Sequence, residues 1–331
     1  MTYVLLSCSP FFVAEALNEL RRSHPHVQLV EAAAPGHLVL STPYPFEALA
    51  AAWQDRLPIY LHHLFPVQTI IQLQPTQDLF AQLAPSLHTL NDGDTTLQMG
   101  IADEISSNAV SELHKKIANC YKNTPGASLP TERVLSILLT ERKAYLGVSW
   151  ASQNLSRYPC GRIPVAEPVA NRAGYKLVEA LTAFQIYLRR GNKALDLGAS
   201  PGAWTMVLRE RGLQVTAVAP TILYPELMTV PEITFHQMEA EEFLKQCTST
   251  FDIIVNDMKL DAQDSAHLMV EYAQHLRSEG VAIMTLKLRD ANRLRVMDHA
   301  FRILRKQYKI IRVRQMISNK KEVTLFLRRK A

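Results

Sequence analysis

Four side chains distant in sequence could act together on one hydroxyl group: Lys176, Asp257, Lys287 and Glu322. A neutral lysine is a base, and a protonated lysine stabilises a developing alkoxide. Neighbouring carboxylates and a second lysine set which form it takes. Asp257 follows the apolar run Phe251-Asp252-Ile253-Ile254-Val255-Asn256, and Lys287 stands in the same relation to Val281-Ala282-Ile283-Met284-Thr285-Leu286. Open α/β sheets bind ligands outside the carboxyl ends of their strands, so both side chains are expected at that edge. Glu322 opens the final strand candidate and shares the edge if that strand is antiparallel. Lys176, early in the helix before the first strand of this block, is within reach of it. Singly, such a lysine is usually a solvated charge and such an aspartate a turn residue, so the four carry weight only as a set.

A second constellation is the stretch Ala194-Leu195-Asp196-Leu197-Gly198-Ala199-Ser200-Pro201-Gly202-Ala203-Trp204-Thr205. An apolar strand ends in a loop with two glycines, and a helix is predicted to start near Gly202. Gly198 lets the backbone turn and approach a ligand without a Cβ clash. The helix start offers unpaired N–H groups. The G-x-G-x-x-G spacing of dinucleotide sites is absent.

These residues need a sheet to position them, and the pattern supplies one. A helix is expected from about Arg172 to Leu188, with Leu177, Leu181, Phe184 and Leu188 on one face. Strands follow at 194–197, 214–218, 233–235, 251–256, 281–286, 310–313 and 323–327, alternating with helices as in a doubly wound α/β fold. The expected blocks are a small α/β module over 1–57, a second module over 58–152, a proline-marked linker over 153–168, and the α/β domain over 169–331. In the first module, strands at Tyr3–Leu6 and His37–Leu40 alternate with helices. In the second, a helix from Ser106 to Tyr121 precedes a hairpin of 133–140 and 144–149.

The Pro201-Gly202-x-Trp204 ending resembles the FtsJ-type ribose methyltransferases. The set Lys176, Asp257, Lys287, Glu322 resembles the Lys-Asp-Lys-Glu tetrad of that superfamily, in the contexts Asn171-Arg172-Ala173-Gly174-Tyr175-Lys176-Leu177, Asn256-Asp257-Met258, Leu286-Lys287-Leu288 and Lys321-Glu322-Val323-Thr324. Residues 165–331 are most similar to the RlmM branch, which modifies 23S ribosomal RNA. The resemblance implies a mostly parallel seven-stranded Rossmann-like sheet. It also implies ferredoxin-like and THUMP-like modules over 1–57 and 58–152, the latter associated with structured RNA. The implied cofactor is S-adenosylmethionine, held by Asp196, Gly198, Ser200, Pro201, Gly202, Trp204, Ala219, Glu239 and Asp257. In this scheme Asp196 faces the cofactor ammonium group; Glu239, after the third strand, either accepts from the adenine amino group or is a solvated residue of a helix start. Lys287 is the implied base or alkoxide stabiliser, tuned by Asp257 and Lys176, with Glu322 orienting the ribose or Lys176. One departure is plain: the second strand runs into Ala219-Pro220, without the carboxylate that such sites present to ribose hydroxyls.

Composition fits this assignment. The apolar share is 47% and the charged share 20%, as in folded globular chains. The net charge is only +5, yet 15 Lys or Arg stand against 3 acids between Lys287 and Lys330. Such an end suits a polyanion such as RNA, although a solvated surface gives the same count. No run of eighteen apolar residues occurs, and the first cation is Arg21, so neither a membrane span nor a signal peptide is expected. Cys8, Cys120, Cys160 and Cys247 lack paired spacing and are expected as free core thiols of a cytoplasmic protein. The histidines lack metal-ligand spacing, so no metal is expected. Two other readings stay open: an RNA-binding scaffold without catalysis, and a methyltransferase for a protein or small molecule.

Overall fold

The computed structural model describes residues 1–53, 57–90, 95–102, 107–118, 132–156, 172–289 and 292–330. The chain divides into two compact units, Met1–Pro164 and Val165–Ala331.

The first unit holds two four-stranded sheets. The first contains, in chain order, β1 (Thr2–Cys8), α1 (Val13–Ser23), β2 (Gln28–Ala34), β3 (His37–Thr42), α2 (Phe46–Ala51) and β4 (Leu61–Pro66), with strand order β2-β3-β1-β4. The pairing of β1 with β4 carries this sheet past the junction expected at residue 57. The second contains β5 (Thr69–Gln72), α3 (Leu79–Leu90), β6 (Thr95–Ile101), α4 (Ser107–Ala118), β7 (Arg133–Leu139) and β8 (Lys143–Trp150), with order β5-β8-β7-β6. The expected hairpin is present as β7 and β8, closed by Thr140, whose hydroxyl accepts from the Lys143 amide at 2.9 Å. Glu31 on β2 joins the two sheets, accepting from Tyr145 Oη at 2.7 Å and Lys143 Nζ at 2.6 Å.

The second unit is an α/β domain. Its elements are α5 (Arg172–Ala183), β9 (Lys193–Leu197), α6 (Ala203–Glu210), β10 (Gln214–Ala219), β11 (Ile233–Gln237), α7 (Ala240–Gln246), β12 (Phe251–Asn256), α8 (Ala262–Tyr272), β13 (Leu276–Lys287), α9 (Arg293–Leu304), β14 (Tyr308–Arg314) and β15 (Glu322–Arg329). The seven strands lie in the order β11-β10-β9-β12-β13-β15-β14, parallel except where β15 pairs antiparallel with β13 and β14. Ile253, Ile254 and Val255 on β12 are all fully buried, as a central strand covered on both faces requires. Leu177 and Leu181 of α5, with Phe184 just after it, pack with Trp204 and Val207 of α6 against Ile253, Val255 and Ile283.

α5 ends earlier than its apolar spacing suggests. Gln185 adopts the left-handed φ of 55°, which breaks the helix, while Leu188 still packs against the core. The connector around 158–168 and Cys120 and Cys160 lie outside the described residues. Cys8 is buried, as expected of a core thiol, whereas Cys247 is only partly so. Among the described residues no helix is long and apolar enough to cross a membrane.

Candidate active site

The site is built where strands end. Parallel pairing of β9 with β12 sets Leu197 beside Asn256, so Gly198 and Asp257 leave neighbouring strands side by side. Antiparallel pairing of β13 with β15 sets Lys287 directly opposite Glu322. Lys176 reaches the same edge from α5.

The four side chains close an alternating square of charge. Lys287 Nζ lies 2.5 Å from Asp257 Oδ1 and 2.5 Å from Glu322 Oε2. Lys176 Nζ lies 3.2 Å from Asp257 Oδ2 and 2.5 Å from Glu322 Oε1. Their side chains are between 7% and 17% exposed, so the square is largely dry. Burial pushes the Asp257 carboxyl up, but the two ammonium groups and bonds from Lys287 and Thr285 outweigh it and hold it below its ordinary value. Burial likewise pushes Lys176 down, and the two carboxylates overcome this to leave it raised. Two positive and two negative groups keep the net charge of the square at zero, which is what permits its burial.

The loop after β9 adopts the expected turn. Gly198 has φ 76°, and a Cβ there would stand 2.4 Å from Met258 Cγ. Gly202 has φ 119° and caps α6, and its missing Cβ leaves room for Leu227. Ser200 and Pro201 form the crest between them. The Ser200 hydroxyl donates to the Ile222 carbonyl at 2.9 Å and accepts from Thr221 at 2.8 Å.

Other expected loop residues occupy different surroundings. Asp196 lies beneath the loop, 2% exposed, and accepts from Thr205 Oγ1 at 2.7 Å, so it braces the first turn of α6. Burial pushes its carboxyl up to about 7, against the Thr205 bonds and with help from the Asp257 charge. Its folded value thus exceeds the unfolded one, so this group stabilises most at acid pH, and the contribution is lost as pH rises toward 7. Asp196→Asn is expected to flatten the fall in melting temperature between about pH 4 and pH 7. An unchanged slope would show that Asp196 does not titrate there.

Trp204 is 4% exposed and belongs to the core, where its indole N–H donates to the Ala173 carbonyl at 2.7 Å. It ties the loop helix to the helix that carries Lys176. Ala219 sits in an apolar cluster with Ala199, Ala217, Leu223 and Leu227, and its side chain offers no polar atom. Glu239 is exposed at the start of α7 and makes no side-chain cap bond.

Sequence reasoning missed Glu179. It is 8% exposed, and accepts from the Ile317 amide at 2.8 Å, the Ser318 amide at 3.0 Å and the Ser318 hydroxyl. Arg172, two turns earlier on the same side of α5, donates to the Ser318 carbonyl at 3.0 Å. Together they grip the turn between β14 and β15, directly before Glu322. Glu179→Gln would turn an amide N–H toward backbone donors, and is expected to cost roughly 1–3 kcal/mol. Chemical denaturation checks this; an unmoved midpoint would remove the role. The missed signal was an acid on the buried face of an amphipathic helix.

Comparisons with known proteins agree with this geometry. The chain is 26% identical over 320 residues to ribosomal RNA large subunit methyltransferase M of Thauera aminoaromatica, spanning 88% of this chain and 85% of that protein. It is 31% identical over 207 residues to the protein of the same name from Halorhodospira halophila, covering 61% and 59% of the two chains. An uncharacterized protein of Methanocaldococcus jannaschii, MJ1257, is 29% identical over 183 residues, covering 54% and 50%. Residues 169–316 match the family described as FtsJ-like methyltransferase. The second unit, from the helix that bears Lys176 to the turn before Glu322, is therefore a domain of the FtsJ-like methyltransferase family.

Proposed function

We propose that this chain methylates the 2′-hydroxyl of a ribose in large-subunit (23S) ribosomal RNA, with S-adenosylmethionine as donor. The observation that carries the reading is the charge-balanced square beside the glycine loop, on adjacent strands of one sheet edge. The names of the relatives support ribosomal RNA as the substrate class. The basic C-terminal stretch supports a polyanionic partner.

S-adenosylmethionine, when bound, supplies an electrophilic methyl group on a sulfonium. The residues present fit it at its amino-acid end, where Gly198 to Gly202 form a turn beside a helix start. They fit less well at the ribose, where Ala219 gives a methyl group in place of a carboxylate. Lys287 holds or accepts the proton of the attacking hydroxyl, and placing that hydroxyl in line with the methyl carbon lowers the barrier further. Asp257 and Lys176 place a carboxylate and a second cation beside Lys287, and Glu322 orients the ribose or Lys176. The αβ order and strand order of the first sheet support a ferredoxin-like module, and the second sheet a THUMP-like module that delivers structured RNA. The chain would work in the cytoplasm, where ribosomal RNA is processed.

Mass spectrometry of 23S ribosomal RNA from a strain lacking the gene tests the reading. One missing ribose methylation, restored by the intact gene and not by Lys287→Ala, is expected. An unchanged methylation map would sink it. The apolar setting of Ala219 favours a second reading, an RNA-binding scaffold without turnover. Calorimetry separates the two, because a scaffold would take up no S-adenosylmethionine even at millimolar ligand.

A further inference from the structure

One buried hydroxyl in the square is left unused by the scheme above. Thr285 stands on β13 two residues before Lys287, so both side chains leave the same face of the strand. It is 1% exposed. Its Oγ1 lies 2.6 Å from Asp257 Oδ1 and 2.9 Å from Lys287 Nζ.

The proton positions follow from the groups themselves. A carboxylate only accepts and an ammonium only donates, so the hydroxyl donates to Asp257 and accepts from Lys287. With Asp257 and Glu322, Thr285 completes three acceptors for the three N–H groups of Lys287. Lys176 bonds to the same two carboxylates and has no third partner among the described residues. The two lysines are therefore not equivalent: one ammonium group is held by three side chains, the other by two, with both oxygens of Asp257 shared on the second. A third carboxylate at position 285 would have left the square with an excess negative charge. A hydroxyl completes the coordination without adding charge, and β-branching restricts its rotamer.

We propose that Thr285 is a positioning residue of the methyl-transfer site, fixing the head group of Lys287 and the near oxygen of Asp257 relative to each other. This rests on the methyltransferase reading above. In the ground state it locks Lys287 on the protein side of the square, so that an incoming hydroxyl meets a group already oriented.

The test uses the full chain and two variants. Thr285→Val keeps the branched shape and removes the hydroxyl, while Thr285→Ser keeps the hydroxyl. With ribosomal RNA and S-adenosylmethionine, Thr285→Val is expected to lower kcat about tenfold to a hundredfold with little change in KM for either substrate. Thr285→Ser is expected to retain kcat within about threefold, since the acceptor is preserved. A second readout needs no turnover: nitrogen NMR of the lysine side chains. The Lys287 ammonium protons should exchange slowly in the native chain and in Thr285→Ser, and fast in Thr285→Val. Full kcat in Thr285→Val, equal losses in both variants, or slow exchange surviving the valine would each overturn the proposal. If the native chain fails to methylate RNA, the methyltransferase reading falls, and the exchange rates still decide whether Thr285 orders Lys287.

Discussion

Lys287→Ala is expected to lower the rate of methyl transfer about 10²–10⁴-fold, the range for a lost general acid–base group. The Lys287 amino group touches both carboxylates of the square and the Thr285 hydroxyl, so no neighbour replaces it. Lys176 reaches the same carboxylates from α5 and would remain as their only cation among the described residues. The glycine loop lies between β9 and α6, and the substitution removes none of its residues, so cofactor affinity should stay within a few-fold. Saturating kinetics with calorimetry on the same sample checks both. Activity within tenfold of the native chain would take Lys287 out of the chemistry.

Glu322→Ala should have the largest effect on stability. It would leave two buried ammonium groups facing one carboxylate, and breaking a buried pair from one side costs about 3–5 kcal/mol. Removing Lys176 as well would restore balance, leaving the single pair of Lys287 and Asp257. The double variant should therefore unfold at higher denaturant than Glu322→Ala alone, a non-additivity that only contacting residues show. Additive losses would mean that the square is not energetically coupled. The pH dependence has a definite sign. Asp257 is held below its ordinary value, so its contribution is present above about pH 4 and is lost as pH falls through its folded value. Lys176 is raised, so its contribution is present below about pH 10.5 and is lost on further rise.

The charged square was legible because it sits at the ends of strongly apolar strands. A central strand buried on both faces is a continuous apolar run, and the first polar residue after it marks the sheet edge. That logic placed Asp257 and Lys287, and the antiparallel entry of β15 placed Glu322. The buried supports were harder to see. Glu179 finds its partners 138 residues away, and no local pattern announces such a bond. Trp204 and Asp196 belong to the glycine loop by sequence, yet the fold spends both on holding α6 in place. In the first unit, β2 escaped notice because it is a largely exposed edge strand. The strand β6 escaped because Thr95, Thr96 and Gln98 disguise a buried strand as a polar stretch.

The last strand in sequence, β15, occupies an interior slot between β13 and β14. Until it inserts, the sheet has a gap, Glu322 is missing, and two lysines face Asp257 alone. Loop closure over such separations is among the slower steps of forming a sheet. The square is thereby coupled to completion of the sheet: its fourth corner arrives only when the final seam zips shut.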